Sequence, residues 1–570
     1  MIRIRIRFAA LAGILGLGAC GEKQLAVTNP NQADTKRVLA TPSDVEALLG
    51  SYYKRWHSGM YVTTTNTWGM AAVQSFEDYS TLSNNCMGQR VTIPRPANDN
   101  TLGNGCAAEQ AKVYQIESEV EHVASTIIAQ INGGLTLGSA AQNNRAIAFG
   151  QFERGLALGY LALVYDTAAI ITPEMMAKNS ADAGDLSGYK DVMAASLDAF
   201  QKAIDAATAG SAAFPLPGTW IPSSTTFTSA EFIKLIRSYR ARFRANVART
   251  PEERAAVDWA SVIADAQNGI TADHDNITST TTGPREDWVA QWYSYGIWHQ
   301  MTPFVIGMAD TSGAYNSWIA QALSDRGSNG AFFMITPDQR FPQGSTRAAQ
   351  QADFALAQCN GAAQKCKRYF VNRPNGSDVS AANGWGASNY DHARFWSWKT
   401  SGDGGTGQNG KILFFTKAEL DMLQAEGLIR TNSFAAAAAL INKTRVANGL
   451  PAITALDNTT PVPGGTAANP VAGGSSCVPR VPVQAASQGA GSATTCGNMF
   501  EAMKYEKRIE EAYTHFMDWF LDMRGWGDLP EGTGLNWAVP YPDLQVRNHA
   551  NYSTGGGLPG SSAGHGTYGW

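Results

Sequence analysis

From Ala107 to Ile270 apolar residues recur at helical spacing almost without interruption, and that periodicity commits the chain to a mainly α-helical (all-α) fold. Between Val113 and Ile131, residues Ile116, Val120, Val123, Ile127 and Ile131 fall on one face. Between Asn144 and Asp166, Phe149, Phe152, Leu156, Tyr160 and Leu163 alternate with Gly150, Gly155 and Gly159. Glycine inside a helix costs about 1 kcal/mol relative to alanine. Three glycines at near-turn spacing therefore predict a second helix packed close to this one. Tyr189, Met193, Leu197, Phe200 and Ile204 continue the pattern, with Ala195, Ala199 and Ala203 between them. Thr228 and Glu231 have capping-box spacing ahead of Phe232, Leu235, Ile236, Tyr239 and Phe243. One more helix is expected from Pro251 through Val257, Val262 and Ile263.

The small-and-bulky alternation over 144–208 resembles a tetratricopeptide helix pair, although the spacing exceeds a 34-residue repeat. From 271 to 410 the periodicity fades and aromatics crowd: Trp288, Trp292, Tyr293, Tyr295, Trp298, Trp318, Phe332, Phe333, Trp385, Trp396 and Trp398. Helices are expected again over Thr416–Thr431 and Phe434–Asn448, and as one last segment over Phe500–Met523. Between them, 452–497 is rich in Gly, Ala, Ser, Pro and Thr and reads as an exposed insertion.

The N-terminus carries Arg3, Arg5 and Arg7, then an apolar run from Phe8 to Leu17. That run is about half of the ~20 residues needed to span a bilayer, so residues 1–19 read as a signal peptide. Leu17-Gly18-Ala19-Cys20 resembles a bacterial lipobox, which implies acylation of Cys20 and a lipid-tethered leader over 20–40. Loss of the three arginines with the signal takes the formal charge from −4 to −7, which argues against a nucleic-acid surface. Six cysteines then remain, in sequence-local pairs: Cys86 with Cys106, Cys359 with Cys366, and Cys477 with Cys496. Six cysteines permit fifteen connectivities; local pairing is the expectation, since each pair brackets a Gly/Asn/Ser-rich loop. No Cys/His cluster has zinc spacing.

The run from Thr416 to Arg430, then Ile441-Asn442 to Arg445 and Gly449-Leu450-Pro451, resembles the SusD/RagB family. So do Tyr505-Glu506-Lys507-Arg508, Phe520 to Gly527, and the closing Val539-Pro540-Tyr541-Pro542 with Asn548. At the other end, the lipobox, Leu25 to Asn31 and Pro42 to Glu46 are similar to the family's opening. Arg524-Gly525-Trp526 departs from a more usual Arg-Arg-Trp-like string, and the 452–497 insertion is unusual. The resemblance implies a SusD-like helical region over 41–270 and a SusD/RagB-like region over 271–570. It implies tetratricopeptide-like helix pairs packed against an irregular, loop-rich half. It also implies an outer-membrane lipoprotein facing the cell exterior, which binds oligosaccharide (in some members peptide) and delivers it to a SusC-like TonB-dependent transporter. Such proteins are not enzymes and need no cofactor. The alternatives are a repeat-type surface scaffold for protein partners and a surface glycoside hydrolase.

Aromatic rings in loops suit sugar faces, so the candidate ligand contacts are Asn66, Trp68, Tyr79, Trp292, Tyr293, Trp298 and Trp385. Trp288, Trp292 and Tyr295 also fit one helix face, which favours a core role for that trio. Arg524 and Trp526 are expected to pack within the C-terminal half. Glu77-Asp78 and Asp273-His274-Asp275 are clustered carboxylates without EF-hand spacing, and no metal is assigned to them. No catalytic constellation emerges: the eight histidines are scattered, and no H-E-x-x-H is present.

Overall fold

A computed structural model of the chain describes residues 41–61, 67–80, 95, 105–178, 185–285, 299–322, 326, 332–359, 366–374, 388–400, 409–472, 476–483, 493–514, 516–530 and 532–540. Two units divide the chain, Met1–Ala47 and Leu48–Trp570. In the first, Thr41 and Pro42 open a helix, with the Asp44 N–H donating to Thr41 Oγ1 at 3.3 Å.

The principal helices are α1 (Pro42–Tyr61), α2 (Thr67–Gln74), α3 (Ala107–Asn132), α4 (Ala140–Val164), α5 (Tyr189–Ala209), α6 (Ser229–Asn246), α7 (Pro251–Ala255), α8 (Trp259–Gln267), α9 (Lys417–Arg430), α10 (Phe434–Ala447), α11 (Met499–Glu511) and α12 (Asp518–Trp526). Short antiparallel pairs join β1 (Asp78–Ser80) to β3 (His299–Met301), β2 (His274–Thr278) to β6 (Gly410–Phe415), and β4 (Phe370–Asn372) to β5 (Tyr390–His392). No helix among the described residues is long and apolar enough to cross a membrane.

The expected helix pairs form, and their glycines sit where rings lie against the backbone. A Cβ on Gly155 would stand 2.4 Å from Phe200 of α5, and one on Gly159 would stand 2.0 Å from Phe243 of α6. Helix starts follow the side-chain chemistry. Thr228 accepts from the Glu231 N–H at 3.2 Å, Ser139 from Gln142 at 3.2 Å, and Thr416 from Glu419 at 3.0 Å.

Three expectations need correction. The helix expected from Pro251 through Ile263 is two helices, because Asp258 caps a fresh start by accepting the Ser261 N–H at 3.1 Å. The segment expected as Phe500–Met523 also breaks, between Glu511 and Asp518, where Tyr513 and Met517 adopt left-handed φ of 61° and 64°. Such conformations cost about 1–3 kcal/mol each in bulky residues. Distant partners hold them: the Tyr513 N–H donates to Glu77 Oε1 at 3.0 Å, and the Phe516 N–H donates to the Tyr61 hydroxyl at 3.0 Å. Thirdly, 452–497 is not simply exposed. Ile453, Val462 and Cys477 are buried in one cluster with Met422, Ile429 and Ile441, while Leu456 and Val471 face solvent. Apolar residues dispersed in a low-complexity run carry no period, so their burial leaves no local signal.

Disulfides join Cys359 to Cys366 and Cys477 to Cys496. Cys106 is disulfide-bonded, and Cys86 lies outside the described residues.

Packing runs across residue 270 without a break. Arg242 of α6 is bidentate to Glu419 of α9, at 2.7 Å on both contacts. Arg254 of α7 reaches Glu426 of α9 at 2.7 Å and Asp522 of α12 at 3.2 Å. Arg524, expected to serve the C-terminal half, donates to the carbonyls of Leu163 and Asn246, both at 2.9 Å, and of Leu535 at 2.7 Å. It thereby satisfies carbonyls at the ends of α4 and α6 that their own helices leave without partners.

Candidate functional site

The strand pair β2–β6 carries a cavity of about 400 Å³ on one face. That volume lies within the usual range for small-ligand sites, roughly 300–1,000 Å³. Asp275 stands directly opposite Leu413 in the antiparallel register, and Lys411 lies two residues from Leu413. The period of two therefore places Asp275, Leu413 and Lys411 on the same side, where all three line the cavity. Ile412, itself buried, also borders the cavity, while Asn276 and Phe414 on the opposite side are buried in the core.

The remaining walls come from Asp273, Cys366, Tyr369, Arg394, Phe395 and Trp398. Each is fixed by neighbours. The Trp398 indole N–H donates to Thr278 Oγ1 of β2 at 2.9 Å. The Tyr369 hydroxyl donates to Glu510 Oε2 at 3.0 Å, and the Arg394 guanidinium lies 4.4 Å above the Tyr369 ring. Arg394 Nη1 also donates to the Glu510 carbonyl at 2.6 Å. Burial pushes the Tyr369 phenol up to about 12, so it stays a neutral donor at ordinary pH. The Cys359–Cys366 bridge closes the seven-residue step at one edge. Aromatic and aliphatic walls with convergent polar groups suit a ligand that has both C–H faces and hydroxyls.

A second cavity, of about 340 Å³, lies between the start of α5, the end of α6 and the α7–α8 break. Met193, Leu197, Val247 and Val257 make it mostly apolar, and the Lys190–Glu253 pair, at 2.9 Å, stands at its rim.

Of the residues proposed from sequence, Trp68 is fully buried, 5.2 Å from the Tyr61 ring and 6.0 Å from the Phe516 ring. Tyr79 is 2% exposed, and burial pushes its phenol up to about 12. Both lie in the interior here, away from the cavity on β2–β6, because the α2–β1 segment packs against the 512–517 break. Cys20, Asn66, Trp292, Tyr293, Trp298 and Trp385 lie outside the described residues, as do Trp288 and Tyr295.

The cavity residues Tyr369, Arg394, Lys411 and Asp275 were not among the sequence-derived contacts. The available signals were modest: Asp273-His274-Asp275 as clustered carboxylates, and the short apolar run Ile412-Leu413-Phe414-Phe415 after Lys411. Nothing local joins those two runs.

Carboxylates able to share one ion, among the described residues, are Glu419, Glu511 and Asp518, with oxygens within 4.8 Å of one another. Arg242 and Lys507 already serve as their counterions, Arg242 at 3.3 Å from Asp518 and Lys507 at 3.4 Å from Glu511.

The buried Glu77 beside Tyr513 gives a pH signature. Burial pushes its carboxyl up to about 8, against the Tyr513 N–H that favours the charged form. Its unfolded value is about 4.3. Between those limits the folded state holds the extra proton, so this contribution is full below about pH 4 and is lost as pH rises toward 8. Glu77→Gln is expected to flatten that decline, whose slope is at most about 1.4 kcal/mol per pH unit. Urea midpoints measured between pH 5 and pH 8 (~1-unit steps) test it, and an unaltered slope in the variant contradicts the assignment. Burial pushes His57 down to about 3 and His274 to about 4, so their contributions are present above about pH 6.5 and fall away in acid.

No family model matches the sequence, and no curated protein matches it as a relative. Solved structures do match the fold. A SusD superfamily protein from Bacteroides thetaiotaomicron is 12% identical, with a TM-score of 0.52 over 89% of this chain and 96% of that one. A SusD homologue from the same organism is 11% identical, with a TM-score of 0.51 over the same shares, 89% and 96%. This chain has the SusD fold: mainly α, with tetratricopeptide-like helix pairs packed against a loop-rich half.

Proposed function

We propose that this chain is a SusD/RagB-family, non-enzymatic, cell-surface binding lipoprotein that captures oligosaccharide and passes it to a SusC-like TonB-dependent outer-membrane transporter. The observation that carries this reading is the SusD fold, shared with two solved structures over 89% of the chain. The cavity on β2–β6, with aromatic, hydroxyl-accepting and cationic groups in one wall, supports a glycan ligand. Cys20 is the acylated residue in this reading, and 20–40 is the tether. Asn66, Trp292, Tyr293, Trp298 and Trp385 remain proposed contacts.

Two measurements test it. Purified protein run on affinity gels containing a panel of polysaccharides is expected to be retarded by at least one, with no reducing sugar released. Cys20→Ala expressed in a host with the cognate transporter is expected to leave the membrane fraction and lose uptake, while glycan retardation stays as in the wild type. A Cys20→Ala protein that remains with the membrane refutes the anchor. Release of reducing sugar refutes binding without catalysis.

A further inference from the structure

The chemistry of the cavity on β2–β6 narrows the ligand class, and this step rests on the glycan-binding reading above. Asp275 is 8% exposed and lines the cavity. Its Oδ1 is saturated: it accepts from Ser223 Oγ at 3.0 Å, the Ser224 N–H at 3.1 Å and Ser224 Oγ at 2.7 Å. Its Oδ2 is buried and has no hydrogen-bond donor. An ionised carboxylate only accepts, so the group that completes it must donate. Leaving such an oxygen unmatched in the interior is costly.

The other charges at the cavity set the sign of what enters. Asp273 stands beside Asp275, and its Oδ1 accepts the Lys417 N–H at 2.8 Å. Arg394 is already turned to Glu510, through the carbonyl at 2.6 Å and the carboxylate at 3.6 Å. That leaves Lys411, exposed at the rim, against two aspartates on the wall. Leu413, Phe395 and Trp398 supply the apolar surface for the C–H face of a ring.

We propose that this cavity takes a sugar unit with free hydroxyls and no carboxylate or sulfate, and that Asp275 turns its unmatched Oδ2 toward the cavity to accept from one of those hydroxyls. A uronate in the same place brings an acceptor where a donor is needed and a like charge beside Asp273 and Asp275.

The test uses the full mature chain and gluco-, galacto- and manno-oligosaccharides, each paired with its C6-oxidised uronate form of equal linkage and length. Calorimetry is expected to show the neutral member of at least one pair binding about tenfold or more tighter than its uronate. Asp275→Asn is expected to weaken the neutral ligand about tenfold and to shrink the neutral-to-uronate ratio, a change that lost folding would not produce. Lys411→Glu, on the exposed rim, is expected to enlarge that ratio by weakening the uronate, at an unchanged thermal midpoint. It decides the matter alone if Asp275→Asn does not fold. Equal or tighter binding of the uronates overturns the inference. So does an unchanged ratio in the folded variants, and the glycan-binding reading then stands. Absence of binding to every oligosaccharide overturns both.

Discussion

Arg242→Met is expected to lower the folding free energy by about 3–5 kcal/mol, the usual cost of removing one partner from a buried ion pair. The guanidinium is fully buried, holds both Glu419 oxygens at 2.7 Å, stands 3.3 Å from Asp518, and lies 3.6 Å over the Phe415 ring. Methionine replaces the stem but leaves two carboxylates facing an apolar side chain with no water to solvate them. The loss is therefore the cost of stranded charge and not the net worth of the pair. The double variant Arg242→Met/Glu419→Met is accordingly expected to be more stable than Arg242→Met alone. Urea denaturation of the wild type, Arg242→Met, Glu419→Met and the double variant forms the cycle. A single variant within about 1 kcal/mol of wild type means that Arg242 is not buried against Glu419 in solution. Arg242 lies on α6 and Glu419 on α9, so the same experiment measures how tightly the helical region holds the C-terminal helices.

Gly159→Ala is expected to destabilise the fold by about 2–3 kcal/mol, although alanine is the better helix former by about 1 kcal/mol. The added Cβ would lie 2.0 Å from Phe243 Cε2 and 2.3 Å from Cδ2. Phe243 cannot turn aside freely, because Tyr160, Phe200 and Tyr239 surround it at centroid distances of 5.2, 5.7 and 5.9 Å. Phe243→Leu costs stability alone but makes room for the methyl, so the pair should couple favourably. Gly150 is the internal control: its Cβ would meet Ile128 at 3.2 Å, and Gly150→Ala should be far milder. If Gly159→Ala instead raises the denaturation midpoint, the close approach of α4 and α6 is absent.

The two variants probe information of different range. Gly159 was legible because a glycine at turn spacing in an otherwise strong helix implies a close neighbour, whatever that neighbour is. Which ring fills the space was not legible, since Phe243 lies on another helix. Arg242 carried no signal beyond its own charge, and its partner is 177 residues away. The breaks at Asp258 and at 512–517 escaped for the same reason: a period runs on through a segment until a cap or a distant partner ends it. In the first case the cap is a local aspartate that could have been weighed. In the second it is Glu77 and Tyr61, more than 400 residues upstream.

The sequence by itself determined the helices, several of their caps, the two disulfide pairings now described and the family likeness, because each rests on neighbours within a few turns or one short loop. Only the tertiary structure decided that part of the 452–497 run is core, that Trp68 and Tyr79 are interior, and that Asp275 and Lys411 share one cavity. Those facts depend on which face of one strand meets another. The pairing of 274–278 with 410–415 is fixed by the burial of Ile412, Phe414 and Phe415 against the helices, a sum over distant contacts that no local spacing encodes.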